Sequence, residues 1–321
     1  KLNFSPFYTT DALDNSLIDY RLKATKNGGA ITYHTYLSNA LTEVGNSSAL
    51  DIKRNIDIDA LNITNQTINV TCSNAATTID TGGNSLTLSG SDITLDSCRV
   101  NDPITVSGAN ATISNSTLPN AIVTGANSTF NTNTINSTTA ENIYFKDATS
   151  STLTNNTFSG DTTTAIKTYG TSPSLTGNNI TGDYAIAIHT IASELSNDNY
   201  TVSLGNSNIL RSDTAATGIG IKAEDAKTHI NLAASYATPT IIDKKLIGVD
   251  NKNARLTVSK AELTNNTTAV KNQATNSQDL TLEKSAFTDN TIAIHNLGTS
   301  TFTIQRNKIT HQAPVVNTTY S

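Results

Sequence analysis

The sequence predicts an all-β solenoid built of stacked coils. Three observations carry this expectation: a short recurring phrase, apolar residues grouped in alternating triplets, and a composition suited to strands and turns. The phrase is a small residue, an aliphatic one, then a polar side chain. It appears as Ala165-Ile166-Lys167, Ala187-Ile188-His189, Gly220-Ile221-Lys222, Gly248-Val249-Asp250, Ala269-Val270-Lys271 and Ala293-Ile294-His295. Its aliphatic residues lie 22, 33, 28, 21 and 24 positions apart. Self-similarity at such a period marks a repeat architecture.

The triplets extend the pattern. Ile68-x-Val70, Leu86-x-Leu88 and Ile104-x-Val106 align, as do Leu95 with Ile113 and Val100 with Leu118. Further on, Ile135, Phe158 and Ile180 form a column, and Tyr144, Ile166 and Ile188 another. Leu256-x-Val258, Leu280-x-Leu282 and Phe302-x-Ile304 then align, beside Leu263, Phe287 and Ile309. Apolar-x-apolar alternation is that of a short strand with one buried face. Asn, Gly, Asp and Ser between the triplets tolerate sharp turns. One such unit cannot bury its apolar face alone, so coils stack, and in-register stacking pairs each strand with its counterpart one coil on. The sheets are therefore expected to be parallel.

Composition agrees. The 321 residues include 39 Asn and 55 Thr, with no Met and no Trp. Asn and Thr are poor in helix interiors, Thr suits a pleated surface, and Asn suits turns. Regularly spaced Ile, Leu, Val and Phe argue against disorder. The net charge of −5 is thinly spread, and no basic stripe exists to neutralise phosphates, which excludes a nucleic-acid binder. No apolar run approaches the ~20 residues that span a bilayer. Cys72 and Cys98 are 26 positions apart. They form a disulfide if the protein is exported, or two buried thiols if it is cytosolic. The chain begins at Lys1, which fits export to the cell surface after signal-peptide removal. It holds 15 Asn-x-Ser/Thr sequons, among them Asn62, Asn65, Asn69, Asn110, Asn115, Asn127, Asn136, Asn155, Asn179, Asn199 and Asn266. These are either glycan acceptors or a product of chance in so Asn- and Thr-rich a chain.

Phrases such as Leu153-Thr-Asn-Asn-Thr-Phe158, Leu263-Thr-Asn-Asn-Thr-Thr-Ala-Val270 and Phe287-Thr-Asp-Asn-Thr-Ile-Ala-Ile294 carry a resemblance. The chain resembles the right-handed parallel β-helix shared by pectate-lyase-like proteins and bacterial surface adhesins. The resemblance implies coils of about 18–28 residues over 51–321. It also implies an asparagine ladder at the turns, with Asn156, Asn179, Asn266 and Asn290 at the matching positions. The scaffold hosts unrelated functions and so says little about activity.

Residues 1–50 read differently. A solenoid end exposes unpaired strand edges that must be capped. This segment is expected to be that cap, with a short helix, or else an arm whose Leu2, Phe4, Phe7 and Tyr8 dock on a neighbouring subunit.

Enzymes of the resembling family cluster carboxylates and cations on the outer face of one sheet. Here the polar slots of the phrase, Lys167, His189, Lys222, Asp250, Lys271 and His295, should form one outward row with ~4.8 Å per coil. Asp250, Lys222, Lys271 and His295 are its catalytic candidates; the competing reading is a solvated face. Glu224-Asp225 is either a cation-binding pair or a solvated loop. No zinc spacing, phosphate loop or nucleophile elbow occurs, so no metal or cofactor is expected. Thr pairs such as Thr132/Thr134 and Thr301/Thr303 fall on different faces, and no persistent outward Thr array is expected.

The expected function is an extracellular structural or adhesive protein, a subunit of a cell-surface filament or adhesin that polymerises with itself by strand addition and contacts surface glycans. The alternative is a polysaccharide lyase or hydrolase, or a carbohydrate-binding module, on the same fold.

Overall fold

The computed structural model describes residues 21–310 and 317–318, apart from 59, 65, 75, 138–140, 161–162, 194–198, 215 and 276–278. The chain is a parallel β-helix. Three long sheets run its length, with 14, 12 and 12 strands. Sheet 1 includes an antiparallel pair, β1 (Leu22–Thr25) and β2 (Ile31–His34), so 14 − 2 leaves twelve parallel strands, beginning with β3 (Ser48–Ile52). Sheet 2 begins at Ile56–Asp57 and sheet 3 at Leu61–Ile63. Each coil thus gives one strand to each sheet, and every neighbour in the parallel stacks comes from the adjacent coil.

The coil containing Leu153 shows why the sequence folds this way. Thr152–Thr154 lies in sheet 1, Thr157–Ser159 in sheet 2 and Thr164–Tyr169 in sheet 3. Leu153, Phe158 and Ile166 all point inward and are fully buried. Each sits between like residues of its neighbouring coils: Phe130 and Leu175, Ile135 and Ile180, Ile143 and Ile188. The result is a single core that continues from Leu22 to Ile294. Phe130 and Phe145 meet edge to face at 6.2 Å, the geometry that aromatic quadrupoles favour. The turn from sheet 1 to sheet 2 passes through one left-handed residue, at φ +56° for Asn155, followed by a residue aimed inward.

The small residue of the phrase also has a cause. In sheet 3 the strands bring Ala165, Ala187, Gly220, Gly248, Ala269 and Ala293 directly over one another, all buried. A Cβ on Gly248 would lie 2.5 Å from the Ala269 carbonyl oxygen, and one on Gly220 would lie 2.4 Å from that of Gly248. Backbone there cannot retreat without disturbing the ladder. Gly248→Ala should therefore destabilise the protein by about 1–3 kcal/mol, read as a lower urea midpoint at unchanged slope.

Several expected alignments shift. Ile68-x-Val70 belongs to sheet 1 and pairs with Asn69↔Thr94 and Val70↔Leu95, whereas Leu86-x-Leu88 and Ile104-x-Val106 stack in sheet 3 on Leu61-x-Ile63. Triplets of different sheets look alike in sequence. Ile143, not Tyr144, shares the column of Ile166, while Tyr144 pairs with Lys167 on the outer row. Coil length ranges from 17 residues (Ile113 to Phe130) to 33 (Ile188 to Ile221), wider than the expected 18–28. The extra residues fall between strands, for example between the strand ending at Ile191 and the one beginning at Tyr200, and the strand registers stay intact. An outward Thr column does persist: Thr94, Thr112, Thr129 and Thr152 stack in sheet 1, from triplets other than those first considered.

The two ends differ. At the first coil, β1 pairs antiparallel with β3, and helix α1 (Leu37–Val44) buries Leu37, Ala40, Leu41 and Val44. At the last coil, Phe302, Ile304 and Ile309 are 38–40% exposed, while their counterparts one coil earlier, Leu280, Leu282 and Phe287, are at most 1% exposed. Cys72 and Cys98 are bridged, with Cα atoms 5.0 Å apart, tying a strand of sheet 1 to the corner of the next coil.

Candidate functional site

The register builds the row that the phrase describes. Lys167 lies beside His189, His189 beside Lys222, Lys222 beside Asp250, Asp250 beside Lys271, and Lys271 beside His295. Side chains on this face are half-buried rather than free: Lys167, His189, Lys222, Lys271 and His295 are all partly covered. Asp250 is only 4% exposed, and its Oδ1 has no described hydrogen-bond partner.

The chemistry of the row is charge pairing. Lys167 Nζ donates to Glu141 Oε1 at 3.0 Å and sits 4.8 Å from the Tyr144 ring centre. Glu224, just past the strand Thr217–Ala223, collects Lys222, His189 (3.6 Å) and Lys252 (3.7 Å) around one carboxylate oxygen. Burial raises the Glu224 carboxyl, but its hydrogen bond and ion pair with Lys222 outweigh this and hold it below its ordinary value. Glu224 is thus engaged with three basic residues, not a free cation ligand. Among the described residues, no group of three or more His, Cys, Asp or Glu could hold a metal ion. Surface hollows of about 590, 210 and 370 Å³ are lined by residues outside the row. The arrangement supplies a cross-linked outer face of ion pairs.

Burial lowers the His189 imidazole below its ordinary 6.5, with Glu224 opposing and Lys222 adding to the effect. The unfolded chain therefore binds more protons just below that value, and stability falls as pH drops through it. His189→Gln should flatten the decline in thermal midpoint between pH 7 and 5.5; an unchanged slope would remove His189 from the account.

The asparagine ladders are real but differently placed. At the first corner, Asn133, Asn156, Asn178 and Asn208 stack, the backbone N–H of each of the first three donating to the next residue's Oδ1 at 2.9–3.1 Å. Each Nδ2 also reaches a carbonyl of a preceding coil, as Asn156 does to Phe130 and Asn178 to Leu153. The expected Asn179 is instead the first residue of the sheet 2 strand Asn179–Thr181, paired with Thr157. Asn266 and Asn290 form a second ladder at the corner between sheets 2 and 3, headed by the N–H of Lys245. A third runs from Asn251 through Asn272 to Asn296. Asn133, Asn178, Asn208 and the third ladder were not foreseen.

The ladder removes one sequon. Asn266 is 2% exposed and its Nδ2 donates to Ile242 and Asn290, so it cannot accept a glycan. Asn179 is half-buried, whereas Asn62, Asn69, Asn110, Asn115, Asn127, Asn136, Asn155 and Asn199 are exposed. Asn65 and the arm residues Leu2, Phe4, Phe7 and Tyr8 lie outside the described residues.

Fold and surface together define a class, a β-helix solenoid with a paired-charge face. No protein-family model, curated protein or solved structure matches the chain.

Proposed function

We propose that the protein is a structural or adhesive subunit of an extracellular filament that grows end to end. The observation that supports this reading is the asymmetry of the two ends. One is closed by β1, β2 and α1; at the other, strands Phe302–Gln305 and Lys308–Thr310 end sheets 1 and 2 with their apolar residues uncovered by any described residue. Such an edge is a template for another chain. Head-to-tail contact between unlike ends is heterologous and builds open filaments when the rotation does not close. The added strand on this reading is the apolar segment around Leu2, Phe4, Phe7 and Tyr8 of the next subunit, by β-augmentation. The Cys72–Cys98 bridge supports an oxidising compartment, and the exposed sequons supply glycan acceptors there.

Wild-type protein should polymerise with rising concentration, seen by light scattering and electron microscopy. Ile304→Lys, or deletion of residues 1–10, should leave monomers. A wild type that stays monomeric at high concentration, or polymers unaffected by both changes, refutes the proposal.

A further inference from the structure

At the corner between sheets 1 and 2, nine turns among the described residues pass through a residue in the left-handed region. Six of these place there a short polar residue or glycine, among them Asn115, Asn155 and Gly177. Three coils in succession instead place Lys260, Lys284 and Arg306 there, at φ +55°, +52° and +57°. Long side chains gain nothing from this conformation, which Gly, Asn and Asp adopt most readily. Stacked one per coil at a rise of ~4.8 Å, like charges also repel one another. Three cations are therefore held in a column at a cost that the fold does not require.

The surroundings add a shape. Lys308, at the start of the adjoining sheet 2 strand, is a fourth cation. The loop before sheet 2 brings Tyr236, 69% exposed, with the Lys260 ammonium 5.8 Å from its ring centre. Together these residues line a hollow of about 210 Å³. Two acids are near. Glu262 lines the hollow; Glu283 accepts from Ser259 (3.1 Å) and Gln305 (3.2 Å) and lies 3.9 Å from Lys284. The four cations outnumber them.

We infer that this corner binds an acidic glycan, a linear polysaccharide carrying carboxylates or sulfates at regular intervals. A column of cations repeating with the coil meets a chain of anions repeating with the sugar. The uncovered phenol ring offers a face on which a pyranose ring can lie. Single-stranded nucleic acid is usually met by a series of stacking rings and a duplex by a broad basic stripe; this corner has one ring and a narrow column, on a chain of net charge −5. The site is independent of filament growth.

Binding is tested by calorimetry at low salt with hyaluronate as the carboxylate probe, dextran sulfate as the sulfate probe, dextran as the neutral control and oligothymidylate as the nucleic-acid control. At least one acidic glycan should bind, dextran should not, and added salt should weaken binding. The variant Lys260→Asn/Lys284→Asn/Arg306→Asn should lose about tenfold or more in affinity, as three weak ion pairs add up. Asn suits the left-handed corner, so its thermal midpoint should not fall below that of the wild type. Tyr236→Ala should lose affinity with the salt dependence unchanged. Failure of both acidic glycans to bind, equal binding by the triple variant, or oligothymidylate binding as tightly as the glycans each overturns the inference.

Discussion

Asn156→Ala should lower stability by about 3–5 kcal/mol, far more than its lost side-chain volume suggests. Asn156 is fully buried and occupies a slot where five polar contacts converge. Its Oδ1 accepts from the Asn133 backbone (2.9 Å) and the Asn133 side-chain amide (3.0 Å). Its Nδ2 donates to Phe130 O (2.9 Å) and Asn178 Oδ1 (3.0 Å), and its own N–H donates to Asn178 Oδ1 at 3.1 Å. Alanine keeps the last bond and strips the others, leaving the buried Asn133 N–H and side-chain amide without this acceptor and the Phe130 carbonyl without this donor. Each such orphan costs about 1–3 kcal/mol, and the networked arrangement makes the losses cooperative. Asn156→Asp is no remedy, because it turns an acceptor towards two acceptors in a buried site. The check is the urea midpoint, combined with native-state hydrogen exchange over residues 129–159, since a lesion in a stacked array can open its neighbours first. Asn155→Gly, one position away on the exposed left-handed corner, should be close to neutral. A loss below about 1 kcal/mol for Asn156→Ala would show that the ladder contributes little to stability.

The contrast between Asn155 and Asn156 also explains how far the sequence alone could be read. The core was legible because burial repeats with period two inside each strand, and Leu153, Phe158 and Ile166 recur coil after coil. The outer row of Lys167 to His295 was legible as well, since the polar slot follows a fixed phrase and the extra loop residues enter elsewhere. The ladders were less so. Asn serves equally in the left-handed slot and in the inward slot beside it, and Asn155-Asn156, Asn178-Asn179 and Asn265-Asn266 read alike. In the first and third pairs the second Asn points inward; in Asn178-Asn179 the first does, because Gly177 has already taken the turn. The two corners, moreover, use the same residues, so members of two columns passed for one. Glu224 went unseen as the hub of the charged face because its partners Lys222, His189 and Lys252 are gathered from three coils. Nothing in the local sequence marks that convergence.

Lys245→Met should raise stability by about 3 kcal/mol at pH 7, with the gain disappearing as pH rises from 8 towards 10.5. Lys244 takes the left-handed corner, at φ +57°. Lys245 then occupies the inward slot that Asn266 and Asn290 fill in the next two coils, fully buried, its ammonium without a described partner. Burial lowers its pKa from 10.5 to about 8, against the opposing attraction of Asp183 and Asp213. Between those two values the unfolded chain binds more protons than the folded one, so the stability of the wild type climbs with pH across that window. Below pH 8 both states are charged and the full penalty of roughly 3 kcal/mol stands. Methionine has a similar length and no charge to desolvate, while its backbone N–H still heads the ladder through Asn266. Chemical denaturation of both proteins at pH 7 and 10 separates the causes. A gain present at pH 7 and absent at pH 10 assigns the cost to the buried ammonium, and a gain equal at both assigns it to packing. A loss of stability at pH 7 would mean that the amine is held by a partner that outweighs its burial.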